Sequence, residues 1–166
     1  FSLKTIVRIT SDCPLIDPEI TDKIVSEFKS NKYDFTSNTI KRTYPRGLDV
    51  EVFSFTALEE AWKNANLPSE REHVTPYIKK SNNQYLCLNV ENTNDLSNLR
   101  LTVDREEDFK LIRIILSEIS TRPILMDDII KLLKRKPELI EINKKINSEE
   151  GYLRSLEEDQ NYIDNN

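Results

Sequence analysis

The chain has 166 residues, a formal net charge of −5 and a sequence pI near 5.1. That is enough for one domain with a real core, and the wrong charge for a nucleic-acid surface, which relies on clustered Lys and Arg releasing counterions. No apolar run approaches the ~20 residues that span a bilayer and no secretory signal is visible, so a soluble cytoplasmic protein is expected.

Ile6-Val7-Arg8-Ile9 reads as a β-branched strand that runs into Asp12, with Pro14 and Pro18 turning the chain at once. Ligands in open α/β sheets sit outside the carboxyl ends of such strands, so Asp12 stands where a metal or phosphate would be met. Asp17-Pro18 supplies an N-cap and a first-turn proline, and Ile20, Ile24, Val25 and Phe28 follow at helical spacing, which predicts a helix over about 18–30. A short strand over 33–38 comes next. The basic, turn-prone stretch holding Arg42, Tyr44, Arg46 and Gly47 leads to Leu48, Val50 and Val52 alternating with Asp49 and Glu51, the pattern of a one-sided strand.

Thr56 with Glu59, and Ser69 with Glu72, have capping-box spacing. They predict one helix ending near Ala65 and another carrying Arg71, His73 and Tyr77, bent or ended by Pro76. Two positions turn an ideal helix by about 200°, so Arg71 and His73 face different ways. Leu86, Leu88 and Val90 alternate as a strand, and 100–103 forms another that ends at Asp104. Asp104 is read as the cap of a helix with the stripe Phe109, Ile112, Ile115, Leu116 and Ile119. Beyond Arg122-Pro123 the pattern is purely helical. The chain therefore divides into an α/β part, 1–122, and a helical segment, 123–166, whose apolar stripe packs on the sheet or on a second copy.

Two strand-end acids, Asp12 and Asp104, could converge over one sheet edge, which is a magnesium geometry: one or two protein carboxylates, then water and substrate phosphate. Each has a plainer use, Asp12 in bracing a turn and Asp104 in capping a helix. Asp49 and Glu51 share a face where carboxylates bond sugar hydroxyls; as neighbours on one side they do not form a glycosidase pair. Arg71 in a first turn suits an anion. Gly47 marks close backbone approach or positive φ. His73, the sole histidine, excludes a multi-histidine metal centre. Cys13 and Cys87 have neither zinc spacing nor disulfide density, and the acid beside Cys13 opposes a nucleophilic thiolate. Lys131, Lys134, Arg135 and Lys136 read as a solvated helix face.

Arg8-Ile9-Thr10-Ser11-Asp12-Cys13-Pro14-Leu15-Ile16, Pro45-Arg46-Gly47-Leu48-Asp49-Val50-Glu51-Val52-Phe53, Arg71-Glu72-His73-Val74-Thr75-Pro76-Tyr77-Ile78 and Leu101-Thr102-Val103-Asp104 occur in that order. From Ile6 to about Asp159 the chain resembles the spore-coat-polysaccharide, acylneuraminate-cytidylyltransferase-like family of bacterial sugar nucleotidyltransferases. The resemblance implies an α/β fold: a three-layer α/β/α Rossmann-like nucleotide-diphospho-sugar transferase sandwich on a mixed, mostly parallel sheet. It also implies transfer of a cytidylyl group from CTP to a sugar or sugar acid with release of pyrophosphate, using Mg2+ held by the catalytic acids Asp12 and Asp104. Arg42, Tyr44, Gly47, Asp49, Glu51, Arg71 and His73 are then the candidate substrate-binding residues.

Three departures stand out. Ser11 replaces a glycine common in relatives, and Arg105-Glu106 replace a threonine-proline pair. The glycine-containing basic nucleotide-binding loop with which family members open has no match here, so the chain reads as the later part of a longer protein, inactive by itself. A glycosyltransferase using a nucleotide-sugar donor and a non-catalytic nucleotide-sugar-binding module remain as other classes.

Overall fold

In this computed structural model, residues 3–30, 32–80, 84–147 and 150–165 are described. Four short strands form one sheet in the order β1-β3-β2-β4: β1 Thr5–Arg8, β2 Phe35–Ser37, β3 Glu51–Ser54 and β4 Cys87–Asn89. β3 is antiparallel to both β1 and β2, and β2 is parallel to β4. Three strands thus share one direction and β3 alone is reversed, so the sheet is mixed even though two of its three pairings are antiparallel. The expected strand over 100–103 is reduced to one parallel bridge between Arg46 and Arg100.

Register sorts the side chains into two layers, because successive residues point to opposite faces. Phe53 pairs with Ile6 and with Phe35, and Phe35 with Cys87. This row packs with Ala57, Ala61 and Ile78 of α2 (Phe55–Asn64) and α4 (Pro76–Lys80). The next row, built on Val52 and Leu88, faces the larger core. There α1 (Pro18–Ser30) contributes Ile20, Ile24 and Phe28, and α5 (Glu106–Glu118) contributes Leu111, Ile112 and Ile115. Helices on both faces make the three layers.

Ile129, Leu132 and Leu133 of α6 (Met126–Arg135) and Leu139 of the 3-10 helix Pro137–Ile142 enter this same core. The first part of the helical segment after Pro123 therefore completes the larger core, where α6 and the 3-10 helix pack on α5 and on each other. α3 (Pro68–His73) and α7 (Glu150–Asp164) complete the set and pack on each other. Among the described residues, no helix is long and apolar enough to cross a membrane.

Local chemistry sets the boundaries. Asp17 caps α1 as its sequence predicts, with Oδ1 accepting from the N–H groups of Glu19 and Ile20 at 2.7 and 3.2 Å, while Oδ2 accepts from Met126 N–H at 2.7 Å and so also ties α6. α2 starts earlier than expected, because Ser54 rather than Thr56 accepts from Ala57 N–H. β3 starts later, at Glu51. Ahead of it the Asn38 side chain takes the place of a strand: its Nδ2 donates to Leu48 O at 2.7 Å and its Oδ1 accepts from Val50 N–H at 2.9 Å.

Candidate active site

The chain segments at one end of the sheet enclose a cavity of about 1160 Å³. Asp12, Arg42, Gly47, Asp49, Glu51, His73 and Asp104 all lie on its wall, and cationic side chains outnumber carboxylates there in a chain that is acidic overall. Tyr44 and Arg71 lie off the wall, against the sequence expectation. Tyr44 is buried in the larger core, its hydroxyl accepting from Lys23 Nζ at 3.1 Å. Arg71 turns away from His73, as the two-residue spacing requires, and its Nη1 donates to Trp62 O at 2.6 Å.

β1 ends at Arg8, and Asp12 sits in the turn that follows, closed by Cys13 N–H donating to Thr10 O at 3.2 Å. Thr102 then holds Asp12 twice, its hydroxyl bonding Asp12 Oδ2 at 2.8 Å and Asp12 O at 3.1 Å, while Val103 N–H bonds Asp12 O at 2.9 Å. Partial burial would raise the Asp12 carboxyl, but hydrogen bonds from Thr10 and Thr102 outweigh it and hold it below its ordinary value. The neighbouring Cys13 thiol goes the other way, pushed up to about 11 by burial and by the carboxylates of Asp12 and Asp49. It is a thiol and no nucleophile at neutral pH.

Asp104 lies two residues beyond Thr102, its side chain half exposed, with Oδ2 accepting from Arg100 Nη2 at 2.7 Å. It is not the cap of α5. That work falls to Asp108, whose Oδ2 accepts from the N–H groups of Asp104 and Arg105 at 3.1 Å each. Asp108 is fully buried, forks Arg100 at 2.9 and 2.8 Å and accepts from Asn143 Nδ2 at 2.8 Å. Burial opposes its ionisation, but Arg100 and Asn143 win and keep the carboxyl below its usual range. Asp104 is thereby left free of capping and aimed by a fixed guanidinium.

Gly47 explains how the segment carrying Thr102 and Asp104 comes so near. Its φ is +98°, and a Cβ there would lie 2.5 Å from Leu101 C and 2.6 Å from Thr102 N. The close approach is to the protein's own backbone, locked by Arg46 N–H to Leu99 O at 2.9 Å and Leu101 N–H to Arg46 O at 2.7 Å.

The two acids of the β3 region have different duties. Asp49 is forked by Arg42, with Nη2 to Oδ2 at 2.8 Å. Glu51 is buried and fully engaged, taking Arg8 Nη1 at 2.7 Å on Oε2, and Lys79 Nζ at 2.8 Å and Thr75 Oγ1 at 2.9 Å on Oε1. Burial pushes its carboxyl up, yet Lys79 and Arg8 outweigh this and lower it. Glu51 therefore braces the wall and has little capacity left for a sugar hydroxyl.

His73 ends α3, and Val74 after it has φ 71°, ψ −50°, with Thr75 N–H bonding His73 O at 2.8 Å. A β-branched residue in this left-handed turn is strained. The turn places both His73 and Thr75 on the cavity wall.

Sequence reading missed Thr102, Arg100, Asp108 and Thr75. One signal was present: an arginine between Leu99 and Leu101 in a buried run demands a carboxylate partner.

This geometry has counterparts. A family model described as Cytidylyltransferase matches residues 1–149. An uncharacterized protein of Methanocaldococcus jannaschii is 37% identical over 148 residues, covering 88% of this chain and 60% of that protein. Spore coat polysaccharide biosynthesis protein SpsF of Bacillus subtilis is 28% identical over 137 residues, covering 80% and 56%. The solved structure of a cytidylyltransferase from Leptospira borgpetersenii superposes with a TM-score of 0.81 at 35% identity, over 87% of this chain and 61% of that one. The chain thus spans about three-fifths of the length of these relatives, and within that span it belongs to the cytidylyltransferase family.

Proposed function

We propose that the cavity is the metal-binding and acceptor-holding side of a site that transfers a cytidylyl group from CTP to a hydroxyl of a sugar or sugar acid, releasing pyrophosphate, in the making of a surface polysaccharide. The family supports the cytidylyl part, and the likeness to SpsF supports the polysaccharide role. The observation that carries the reading is the junction at Thr102, which fastens the Asp12 turn to the segment bearing Asp104 and brings both acids to one wall.

The donor set fits magnesium. Asp12 is ionised and acceptor-only, Asp104 is half exposed, and a hard dication takes one or two such carboxylates and completes its shell with water and phosphate. Among the described residues, no three or more His, Cys, Asp or Glu side chains gather to hold an ion by themselves. When bound, the ion would supply charge compensation at the α-phosphate. The chain's own residues do the rest. Thr102 and Arg100 hold the two carboxylates in place, Arg42 and Asp49 stiffen the facing wall, and His73 meets the acceptor. Holding the acceptor oxygen in line with phosphorus converts a bimolecular step into a unimolecular one. The new P–O bond forms as the bond to pyrophosphate breaks, and the hydroxyl proton passes to water.

The test is pyrophosphate release by the full-length protein from CTP and Mg2+ with a panel of sugars, sugar acids and sugar phosphates. Release that needs both acceptor and metal is expected. Asp12→Asn and Asp104→Asn should each lower it at least about a hundredfold, with the double variant scarcely worse because both act through one ion. Consumption of a nucleotide sugar without pyrophosphate would instead identify a glycosyltransferase, and nucleotide-sugar binding without turnover a non-catalytic module.

A further inference from the structure

α7 lies beyond the residues matched by the family model, yet it forms part of the cavity wall through Gly151, Tyr152 and Arg154. Its attachment is unusual. Helices ordinarily dock through an apolar stripe, but the buried residues of α7 are Ser155 and Asp159. Asp159, 5% exposed, spends both oxygens on the start of α3, taking Ser69 N–H at 2.8 Å and Ser69 Oγ at 2.6 Å. One turn earlier, Ser155 Oγ meets His73 Nε2 at 2.9 Å. At the head of the helix, Glu150 takes Arg105 Nη2 at 2.9 Å, next to Asp104. Residues 152, 155 and 159 recur at three and four positions, so one face of α7 carries the wall and its fastenings together.

Hydrogen bonds are directional, and a buried carboxylate tolerates only a narrow arrangement of donors. Fastening by Asp159 and Ser155 therefore fixes the rotation and register of α7 more than it adds burial. Tyr152 and Arg154, two positions and about 200° apart, flank this fastened face on its two sides, and both reach the cavity wall. Arg154 is well exposed and, among the described residues, held only by a 3.3 Å contact with Glu158, an exposed pair that a stronger anion can replace. A guanidinium fork suits a carboxylate or phosphate, and a tyrosine ring offers a flat apolar face with a hydroxyl, which suits a sugar ring.

We propose that α7 is the acceptor-side wall of this site, with Tyr152 and Arg154 contacting a hydroxylated ring that bears an anionic group and Asp159 acting as their positioning residue; this rests on the nucleotidyl-transfer reading above. Steady-state kinetics of the full-length protein test it, with a sugar acid, a sugar phosphate and a neutral sugar as separate acceptor arms. Arg154→Gln and Tyr152→Ala should raise the KM for an anionic acceptor about tenfold and leave the KM for CTP within about twofold. The arm with the larger loss on Arg154→Gln identifies the anion as carboxylate or phosphate.

Asp159→Asn touches no substrate but should raise the same KM, and Asp159→Glu should recover part of it, which a change in stability alone would not do. If Asp159→Asn folds poorly, Ser69→Ala removes one of the two bonds and should give a smaller shift in the same constant. Unchanged acceptor KM in Arg154→Gln and Tyr152→Ala would overturn the proposal, as would CTP and acceptor constants rising together in Ser69→Ala. Wild-type protein that releases no pyrophosphate fails the reading of the reaction and this proposal with it. An active wild type whose variants keep their acceptor KM fails this proposal alone.

Discussion

Thr102 donates its hydroxyl to the carboxylate of Asp12 at 2.8 Å, although the two stand ninety positions apart. The bond commits Oδ2 to the Thr102 side and leaves Oδ1 with a weak 3.7 Å contact from the Cys13 thiol. Thr102→Val keeps the shape and removes the donor, so turnover should fall roughly 10- to 100-fold, the usual cost of losing a group that orients a metal ligand. The Mg2+ concentration for half-maximal rate should rise with it. A magnesium titration unchanged by the substitution would remove Thr102 from the ion's surroundings.

Acid should unfold this protein through three carboxylates. Glu51, Asp108 and Asp12 are all held below their ordinary values in the fold. The unfolded chain therefore binds protons first as pH falls, and the stability these groups contribute is complete above the unfolded carboxylate range and lost on descent through the folded values. The melting temperature should be nearly level from pH 8 to about 5 and drop below about 4. Glu51→Gln should flatten part of that drop and also lower the unfolding free energy at neutral pH by about 3 kcal/mol, because Arg8 and Lys79 lose a buried anion. Thermal melts across pH check both signs.

The legible parts of the fold were those with a single local cause. α1 begins where Asp17-Pro18 places it, because cap and proline act within one turn. The alternation of strands and helices was legible in their interleaved patterns, and the three-layer arrangement was what the family resemblance implied. The reversal of β3 was hidden, since the 38–50 segment that permits it is built on the side chain of Asn38, which in sequence is one more polar residue in a loop. Asp104 and Asp108 show the same limit at the site. Both are acids near a helix start, and only the fork to Arg100 and the bond from Asn143 distinguish the buried cap from the half-exposed acid. The cavity was visible in Asp12, Asp49, Glu51 and His73, while its far wall on α7 carries no sequence signal that separates Arg154 from any solvated arginine.

Arg71 gives a sharp contrast with the sequence reading, which gave it a substrate anion. Its guanidinium is turned to Trp62 O, off the cavity wall. Arg71→Lys should leave the KM for acceptor and for CTP within about twofold, since it removes no contact made to substrate. A selective rise in acceptor KM would restore Arg71 to the site.

Gly47→Ala should be costly. A methyl group there meets the backbone of Leu101 and Thr102 at 2.5–2.6 Å, and φ +98° is unfavourable for any L side chain. A loss of about 1–3 kcal/mol is expected from strain at one such position. Because the displaced segment carries Asp104, activity should fall further than melting temperature alone accounts for. Paired denaturation and rate measurements separate the two.

The turn at Val74 has its own consequence. Its neighbours are anchored, His73 to Ser155 and Thr75 to Glu51, so the unfavourable dihedral persists only because both flanks are held. The three residues behave like a bent spring between two clamps, whose recoil would swing both flanking side chains out of register. Relaxing the bend would make the protein harder to melt and poorer at gripping its substrate.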